Sequence, residues 1–490
     1  MKKAIVVGAG IGGLATSIRL ACQGFQVDVF EGNAYPGGKL TAFSLGKYRF
    51  DAGPSLFTMP HFVSELFELA GENPTEHFAY KKKEIACQYF WEDGVRLTAY
   101  GDRNKLVNEI EKQLNVPPET VLTYLENAQR KYERTQSLFL EQSLHKLSTY
   151  LSKDTLKGMV HYRSFEIGKS LHEVNQKHLK EPHLVQMYDR YATYNGSSPY
   201  KTPGIMTLVQ HLEQHYGTFI PKKGMEDISQ SVYQLALRKG VRFHFNTQVS
   251  EIVIKQKKAK GVVANDTVHY SDMVVSNMDI VPTYRKLLPK VTPPEKTLRQ
   301  ERSSSAVIFY WGIKKTFKEL DLHNIFFSSN YKEEFEAIFN HKKCYKDTTV
   351  YVNITSKDVQ TDAPKNCENW FVMINTPHDN GQNWEEEVNI LKKQVLEKLH
   401  RILGEDIAPL IEEEFIMTPP IIEQKTQSYK GALYGASSNN TMAAFLRHPN
   451  FSSSISNLYF CGGSVHPGGG IPLCLLSAKI VSDLVKNDVK

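Results

Sequence analysis

The sequence is short of the features that mark several common classes of protein. Cysteine is scarce, six in 490 residues, and Cys22, Cys87, Cys344, Cys367, Cys461 and Cys474 are widely spaced with no C-x-x-C pair. That spacing argues against a disulfide framework and a zinc site, so no metal is expected, and it favours a reducing, cytoplasmic setting. A strong charge of one sign is missing too: 59 Lys and Arg stand against 53 Asp and Glu, giving +6. An excess this small and scattered argues against nucleic acid as a partner and leaves only a weak attraction to anionic membrane surfaces. No stretch reaches the ~20 uninterrupted apolar residues of a spanning helix. The first apolar run, residues 4–7, is too short for a signal peptide and leads into a glycine turn. Any contact with a membrane is therefore expected to be peripheral. Repeats and low-complexity linkers are absent, so domain boundaries must be read from changes in pattern.

What is present is an ordinary globular composition, 41% hydrophobic, 23% charged and 11% aromatic. A chain of this length exceeds what one hydrophobic core usually supports, so two or more packed units are expected, with room for a large cofactor between them. Residues 1–31 read as strand (3–7), glycine turn, helix (12–23) and strand (26–30), a βαβ unit. From about 119 to 215, aromatic and aliphatic residues recur at helical spacing, as in "TYLENAQRKYERTQSLFLEQSL", which reads as a helical insertion. Residues 225–254 give a helix followed by a strand pair, "VRFHFNT" and "VSEIVIK". Residues 303–317, 348–355 and 369–376 are β-branched and aromatic and suggest an antiparallel sheet in a separate unit.

Gly8, Gly10 and Gly13 form G-x-G-x-x-G at the first strand-to-helix junction. Missing side chains there permit the turn, close approach of a pyrophosphate and tight helix packing, with the helix N-terminus facing the anion. Alone, the match also describes a glycine-rich turn without a ligand. Glu31 ends the second strand eighteen residues after the third glycine, where an acidic side chain can accept hydrogen bonds from ribose hydroxyls, and this makes the site a dinucleotide site. It is followed by "GNAYPGGKLTAFSLGKYRFDAGPS", in which Gly37-Gly38 lets backbone pass close to a ligand and Lys39 supplies a cation near the diphosphate. Sites for NAD do not normally carry this extension.

That stretch resembles the FAD-binding signature of the flavin amine oxidase superfamily, specifically of phytoene-desaturase-like carotenoid enzymes, and the similarity runs from end to end. The resemblance implies an α/β fold: a Rossmann-like FAD-binding domain with an antiparallel-sheet substrate domain and a helical insertion. It divides the chain into a discontinuous FAD-binding domain (1–75, 217–290 and 450–490), a sheet domain (76–115 and 291–449) and a helical insertion facing substrate or membrane (116–216). It places Gly53, Pro54 and Ser55 of "FDAGPS" beside the flavin and gives Val249 a backbone contact on the adenine side. It also makes "NLYFCGGSVHPGGGIPLCLLSAKIVSDLV" the last flavin contact. In that segment Gly463 and Ser464 fall near the diphosphate and ribityl chain. A helix starting near Gly470, Ile471 and Pro472 would aim its positive end at the flavin pyrimidine edge. Cys461, Cys474 and His466 read better as packed residues than as redox or basic groups.

Within the family, "GGSVHPGGGIPLCLLSAK" and "RYATYNGSSPYKTPGIMTLVQHLE" are most similar to the 1-hydroxycarotenoid 3,4-desaturase branch. The implied reaction removes a hydride to flavin N5 and a proton from adjacent carbons of a long apolar carotenoid, with oxygen or a quinone as electron acceptor. Alternatives on the same scaffold are a phytoene or diapophytoene desaturase and a terminal oxidase or isomerase; outside enzymes, a lipid-binding escort. The family's Asp-x-x-Arg pattern, considered for proton handling, falls on Asp154 and Lys157. Lys157 departs from the arginine, and Asp154 reads equally as a helix cap. Two amphipathic segments, 55–71 and 205–220, would dock at a membrane interface or pack into the core.

Overall fold

The computed structural model describes residues 1–139, 166, 168–440 and 446–488. Five short strands form a fully parallel sheet in the order Leu458–Phe460, Met273–Ser276, Lys3–Val7, Gln26–Phe30, Arg242–His244. The side chains of the middle strand explain its place. Ala4 and Val6 project into one core and Ile5 and Val7 into another, which is why the segment is a continuous apolar run rather than an alternation. Helices Ile11–Cys22, Glu226–Arg238 and Ile471–Asp488 cover the first face through Leu14, Ile18, Val232, Leu235, Val481 and Val485. A three-stranded antiparallel sheet, Val249–Lys255, Lys258–Ala264 and Thr267–Tyr270, covers the second.

The expected strand pair at 241–254 needs correcting. Arg242–His244 joins the edge of the parallel sheet beside Gln26–Phe30, whereas Val249–Lys255 starts the separate antiparallel sheet. Asn246, at φ 51°, lies in the connection, whose backbone is held to the end of Gln26–Phe30 and the loop after it by bonds from Asn246 N–H to the Asn33 carbonyl at 3.0 Å and from Thr247 N–H to the Glu31 carbonyl at 2.8 Å, so it does not close a hairpin.

A second, seven-stranded sheet has the order Ile411–Met417, Ser305–Ile313, Glu368–Thr376, Val350–Ile354, His323–Phe326, Ile85–Phe90, Arg96–Tyr100. All pairs are antiparallel except His323–Phe326 against Ile85–Phe90. Alternation sorts its long strand: Val307, Phe309, Trp311 and Ile313 pack against helix Trp384–Leu403, while Ala306, Ile308 and Tyr310 face the opposite way. Asp51 links this half to the other, because its buried carboxylate accepts from the Met225 and Glu226 N–H groups at 2.7 and 3.1 Å and so caps helix Glu226–Arg238.

The two amphipathic segments pack inward. Helix His61–Leu69 buries Phe62, Val63, Leu66 and Phe67 in the core of the parallel-sheet half. The segment from Gly204 to Pro221 runs through short helical turns and a strand, with Ile205, Leu208, Val209 and Ile220 buried. Among the described residues, no helix is long and apolar enough to cross a membrane.

Candidate cofactor and substrate site

Four of the five parallel strands end at one place. Gly8 follows Lys3–Val7, Glu31 follows Gln26–Phe30, Asn277 follows Met273–Ser276, and Cys461 and Gly462 follow Leu458–Phe460. These residues are stitched across the strand ends by backbone bonds from Gly8 to Phe30 (2.8 Å), Asn277 to Val7 (2.8 Å) and Cys461 to Ser276 (3.0 Å). The carboxyl edge of an open parallel sheet is where such folds bind ligands. Here it opens into a cavity of about 930 Å³ that extends to the inner face of the seven-stranded sheet.

The glycines divide the work that sequence had assigned to them jointly. Gly13 does not line the cavity: a Cβ there would sit 2.1 Å from the Gly8 carbonyl oxygen, so its role is to let helix Ile11–Cys22 lie against the first strand. Gly10 and Gly12 line the cavity, and a Cβ on either would meet the Asn277 amide at 2.7 or 2.8 Å; one on Gly462 would meet it at 2.5 Å. Asn277 is thus the residue around which the two glycine turns are folded, and sequence reading missed it. Its only signal was position, directly after a short apolar strand. Gly10, at the N-cap of helix Ile11–Cys22, offers no side-chain cap, so the helix's first N–H groups are left for a ligand. Ile471, Pro472 and Leu473 of the C-terminal helix line the same cavity, which brings a second helix N-terminus to it.

Charge identifies the class of ligand. Arg302 and Asp279 lie close enough to Lys39 and to Arg447 to influence the ionisation of both. Asp279 is committed to Arg302 at 2.6 Å. Lys39 donates to the Leu433 carbonyl at 2.8 Å, and Arg447 donates to the carbonyls of Tyr434 at 2.7 Å and Gly463 at 3.4 Å. Among the described residues neither cation reaches a carboxylate. Burial pushes the Lys39 ammonium down, and burial followed by the nearby Arg302 pushes Arg447 down to about 10. Three cations beside one carboxylate leave two positive charges uncompensated, with the Arg302 Nε also lacking a partner. Buried cations require a counter-charge, and a diphosphate, lying between two helix N-termini, supplies one that matches.

The other expected contacts fall on the same cavity: Gly8, Glu31, Gly38, Gly53, Pro54, Ser55, Val249, Gly463, Ser464 and Gly470 all line it. Glu31 is buried; its Oε2 accepts from the Ala9 N–H at 2.7 Å and its Oε1 from the Asn33 N–H at 2.8 Å and the Asn33 side-chain amide at 2.9 Å, which fixes the carboxylate while leaving one lone pair on Oε2 free. Gly53 is forced, because a Cβ would lie 1.9 Å from the Lys39 carbonyl oxygen. The Ser464 hydroxyl accepts from the Ile280 N–H at 3.0 Å. Cys461 and Cys474 are thiols pushed up by burial to about 12 and about 11, a packing environment rather than a redox one. His466 is buried, its N–H donating to the His448 carbonyl at 3.0 Å and its carbonyl accepting from Asn450 at 2.7 Å. Asp154 and Lys157 lie outside the described residues.

Beyond the glycine turns the cavity becomes apolar, walled by Ile308, Phe371, Met373 and Met417 of the seven-stranded sheet and by Met206, Leu208, Val209 and Leu212. Its lining also carries two polar groups of residues. Arg190 donates to Tyr89 at 2.6 Å, Tyr194 at 2.7 Å and Glu213 at 3.2 Å. Burial opposes its charge, but Tyr194, Tyr89 and Glu213 hold the guanidinium well above its ordinary range. Ser55, Tyr351 and His323 form a chain with separations of 2.8 and 2.7 Å. Burial pushes His323 down to about 3, so the imidazole is neutral.

Comparison with known proteins agrees with this architecture. Residues 11–486 match the family of flavin containing amine oxidoreductases. The chain is 56% identical over 487 residues to a 1-hydroxycarotenoid 3,4-desaturase of Flavobacterium sp. (strain P99-3), covering 99% of both. It is 33% identical over 498 residues to a 4,4'-diapolycopene oxygenase of Methylomonas sp, covering 100% of this chain and 99% of the other. It is 31% identical to a phytoene desaturase of Fusarium fujikuroi, covering 99% and 90%. Among solved structures, an oxidoreductase from Methanosarcina mazei superposes with a TM-score of 0.64 at 16% identity, covering 99% of this chain and 100% of that one. Putrescine oxidase bound to putrescine gives 0.63 at 12%, covering 100% and 98%. These last two likenesses concern the fold.

Proposed function

The chain belongs to the flavin containing amine oxidoreductases, and from that premise we propose that it is an FAD-dependent carotenoid desaturase acting at C-3,4 of a 1-hydroxycarotenoid. FAD rather than a mononucleotide is favoured by the length of the seat, from Glu31 and Val249 at one end through Lys39 and Arg447 to the C-terminal helix. The observation that carries the substrate reading is the continuity of this seat with an apolar cavity, in a chain matching a 1-hydroxycarotenoid 3,4-desaturase along 99% of its length. When bound, the flavin supplies hydride acceptance at N5. The chain's own residues do the rest. Lys39 and Arg447 neutralise the diphosphate, the two glycine turns admit it, and the apolar walls exclude water and align the C–H bond, which dominates where the departing charge is spread over a polyene.

A substrate this apolar is drawn from a bilayer, so the enzyme works at the cytoplasmic membrane surface, with oxygen or a quinone as terminal electron acceptor. The test is incubation of purified protein and FAD with 1-hydroxycarotenoids and with phytoene, followed by mass analysis. Loss of two mass units from the hydroxylated substrates is expected. A gain in conjugation with phytoene alone overturns the 3,4-desaturase reading, and a gain of oxygen points to oxygenase chemistry instead.

A further inference from the structure

The cavity lining holds polar groups that the protein leaves unused. His323 is 4% exposed, and its Nε2 is buried at the wall with no partner. Nδ1 meets Tyr351 at 2.7 Å and Asn353 Nδ2 at 3.3 Å, and Tyr351 in turn meets Ser55 at 2.8 Å. Nδ1 is thus occupied, and Nε2, whether it carries the imidazole proton or a lone pair, is left for a group that can both donate and accept, as a hydroxyl does.

Arg190 repeats the pattern. Its Nε–H is given to Tyr89, one N–H of each terminal nitrogen goes to Tyr194 and Glu213, and one on each is left over. Glu213, the one carboxylate of this cluster, already accepts from Arg190, Tyr191 and Tyr194. Both residues line the cavity, and Arg190 is close enough to His323 to lower its basicity. Unspent polar groups in a largely apolar stretch of the cavity are costly unless a ligand brings them a partner.

We propose that His323, together with Arg190, is the subsite that takes the oxygen of the substrate's hydroxylated end group. This rests on the reading of the substrate as a 1-hydroxycarotenoid. The position suits that chemistry: His323 is linked through Tyr351 to Ser55, the residue following the Gly53-Pro54 turn expected beside the flavin, so an oxygen held at His323 keeps the end group close to that turn. An anchor at the hydroxyl fixes the C3–C4 bond against the flavin, which makes His323 a specificity-determining residue.

The test compares equilibrium binding of a 1-hydroxycarotenoid and its deoxy counterpart to wild type, His323→Leu and His323→Gln, with flavin content, flavin affinity and flavin spectrum recorded for each. Wild type is expected to prefer the hydroxylated form by roughly tenfold to a hundredfold, the effect of one buried polar group left unpaired. His323→Leu is expected to reduce that preference to about twofold or less, and His323→Gln, which keeps an N–H, to retain part of it. Survival of the preference in His323→Leu, an equal loss for both carotenoids, or altered flavin affinity or spectrum overturns the proposal while leaving the substrate reading intact. A wild-type enzyme that desaturates the deoxy compound and ignores the hydroxylated one overturns the substrate reading and this subsite together.

Discussion

Arg447→Met separates a cation kept for the cofactor from one kept for the fold. Arg447 is 3% exposed, lacks a carboxylate partner among the described residues and has its pKa pushed from 12.5 down to about 10 by burial and by Arg302. At about 1.4 kcal/mol per pKa unit, that depression opposes folding by roughly 3 kcal/mol at neutral pH, where the group is still charged. On the other side stand its bonds to the Tyr434 and Gly463 carbonyls, of which the second, at 3.4 Å, is weak. Hydrogen bonds from a charged donor contribute about 1.5–3 kcal/mol each, so the two sides nearly cancel. For a chain of this length the entropy of unfolding is on the order of 1 kcal/mol per degree. The flavin-free variant is therefore expected to melt within ~2 °C of the flavin-free wild type. Flavin binding has no such compensation, and loss of a buried charged donor to the diphosphate should weaken FAD by about tenfold to a hundredfold. Arg447→Lys, which keeps the charge without the fork, should fall between. The assay is thermal unfolding of stripped protein together with flavin titration by fluorescence quenching. A fall of more than ~5 °C in the flavin-free melting temperature, with unchanged FAD affinity, would refute the reasoning and make Arg447 a structural residue.

Three further outcomes follow from the same geometry. Gly13→Ala, which in an ordinary helix would stabilise by about 1 kcal/mol, should here destabilise by ~1–3 kcal/mol because the methyl meets the Gly8 carbonyl at 2.1 Å; a denaturation midpoint at or above wild type would count against it. Glu31→Gln should lower flavin retention and cost about 1 kcal/mol or more, because its NH2 faces one of the two N–H groups that the carboxylate accepts from, and Glu31→Ala should cost about 1–3 kcal/mol by stranding both the Ala9 and Asn33 N–H groups; full flavin occupancy in both variants would remove Glu31 from the site. Burial holds His323 down to about 3 and His211 and His378 down to about 4, against 6.5 for the unfolded chain. Below pH 6.5 the unfolded chain binds protons that the folded chain refuses, so stability falls with pH, by roughly 2 kcal/mol per histidine at pH 5. Urea midpoints measured from pH 7.5 to 5 should show a shallower acid slope in His378→Gln, and an identical slope would contradict this.

The parallel-sheet half was largely legible because its signals are local. Residues 3–7 and 26–30 read as strands and are strands, since an apolar run closed by a glycine turn has few alternatives. The first two β-branched segments, expected at 303–317 and 348–355, contain the strands Ser305–Ile313 and Val350–Ile354, and the third, expected at 369–376, matches Glu368–Thr376 to within one residue. What sequence could not show was partnership. "VRFHFNT" and "VSEIVIK" are adjacent in the chain but enter different sheets, because pairing is decided by which edge each strand meets rather than by its composition. Asn277 and Arg447 escaped for the same reason. Neither sits in a glycine motif, and the cavity acquires them through strand ends and loops distant in sequence. His323, too, lies in a strand whose buried pattern reads as ordinary core.

This contrast has a consequence for how one scaffold supports different carotenoid chemistries. A cavity of about 930 Å³ lies near the top of the ~300–1,000 Å³ typical of ligand sites, and on the proposed reading it holds FAD as well as substrate. A long polyene then places only one end inside. The flavin seat is fixed by glycine contacts that tolerate no added atoms, so it cannot select which carbon–carbon bond arrives there. Selection falls to whatever stops the advancing end, and the groups lining the cavity for that are the sheet residues Ile308, Phe371 and Met417 with the polar groups of His323 and Arg190. Changing those side chains alters depth of insertion without disturbing the cofactor. A sheet wall can vary in this way because strand positions facing a cavity carry few backbone constraints, whereas Gly53 and the turns at Gly10 and Gly462 have no room to change.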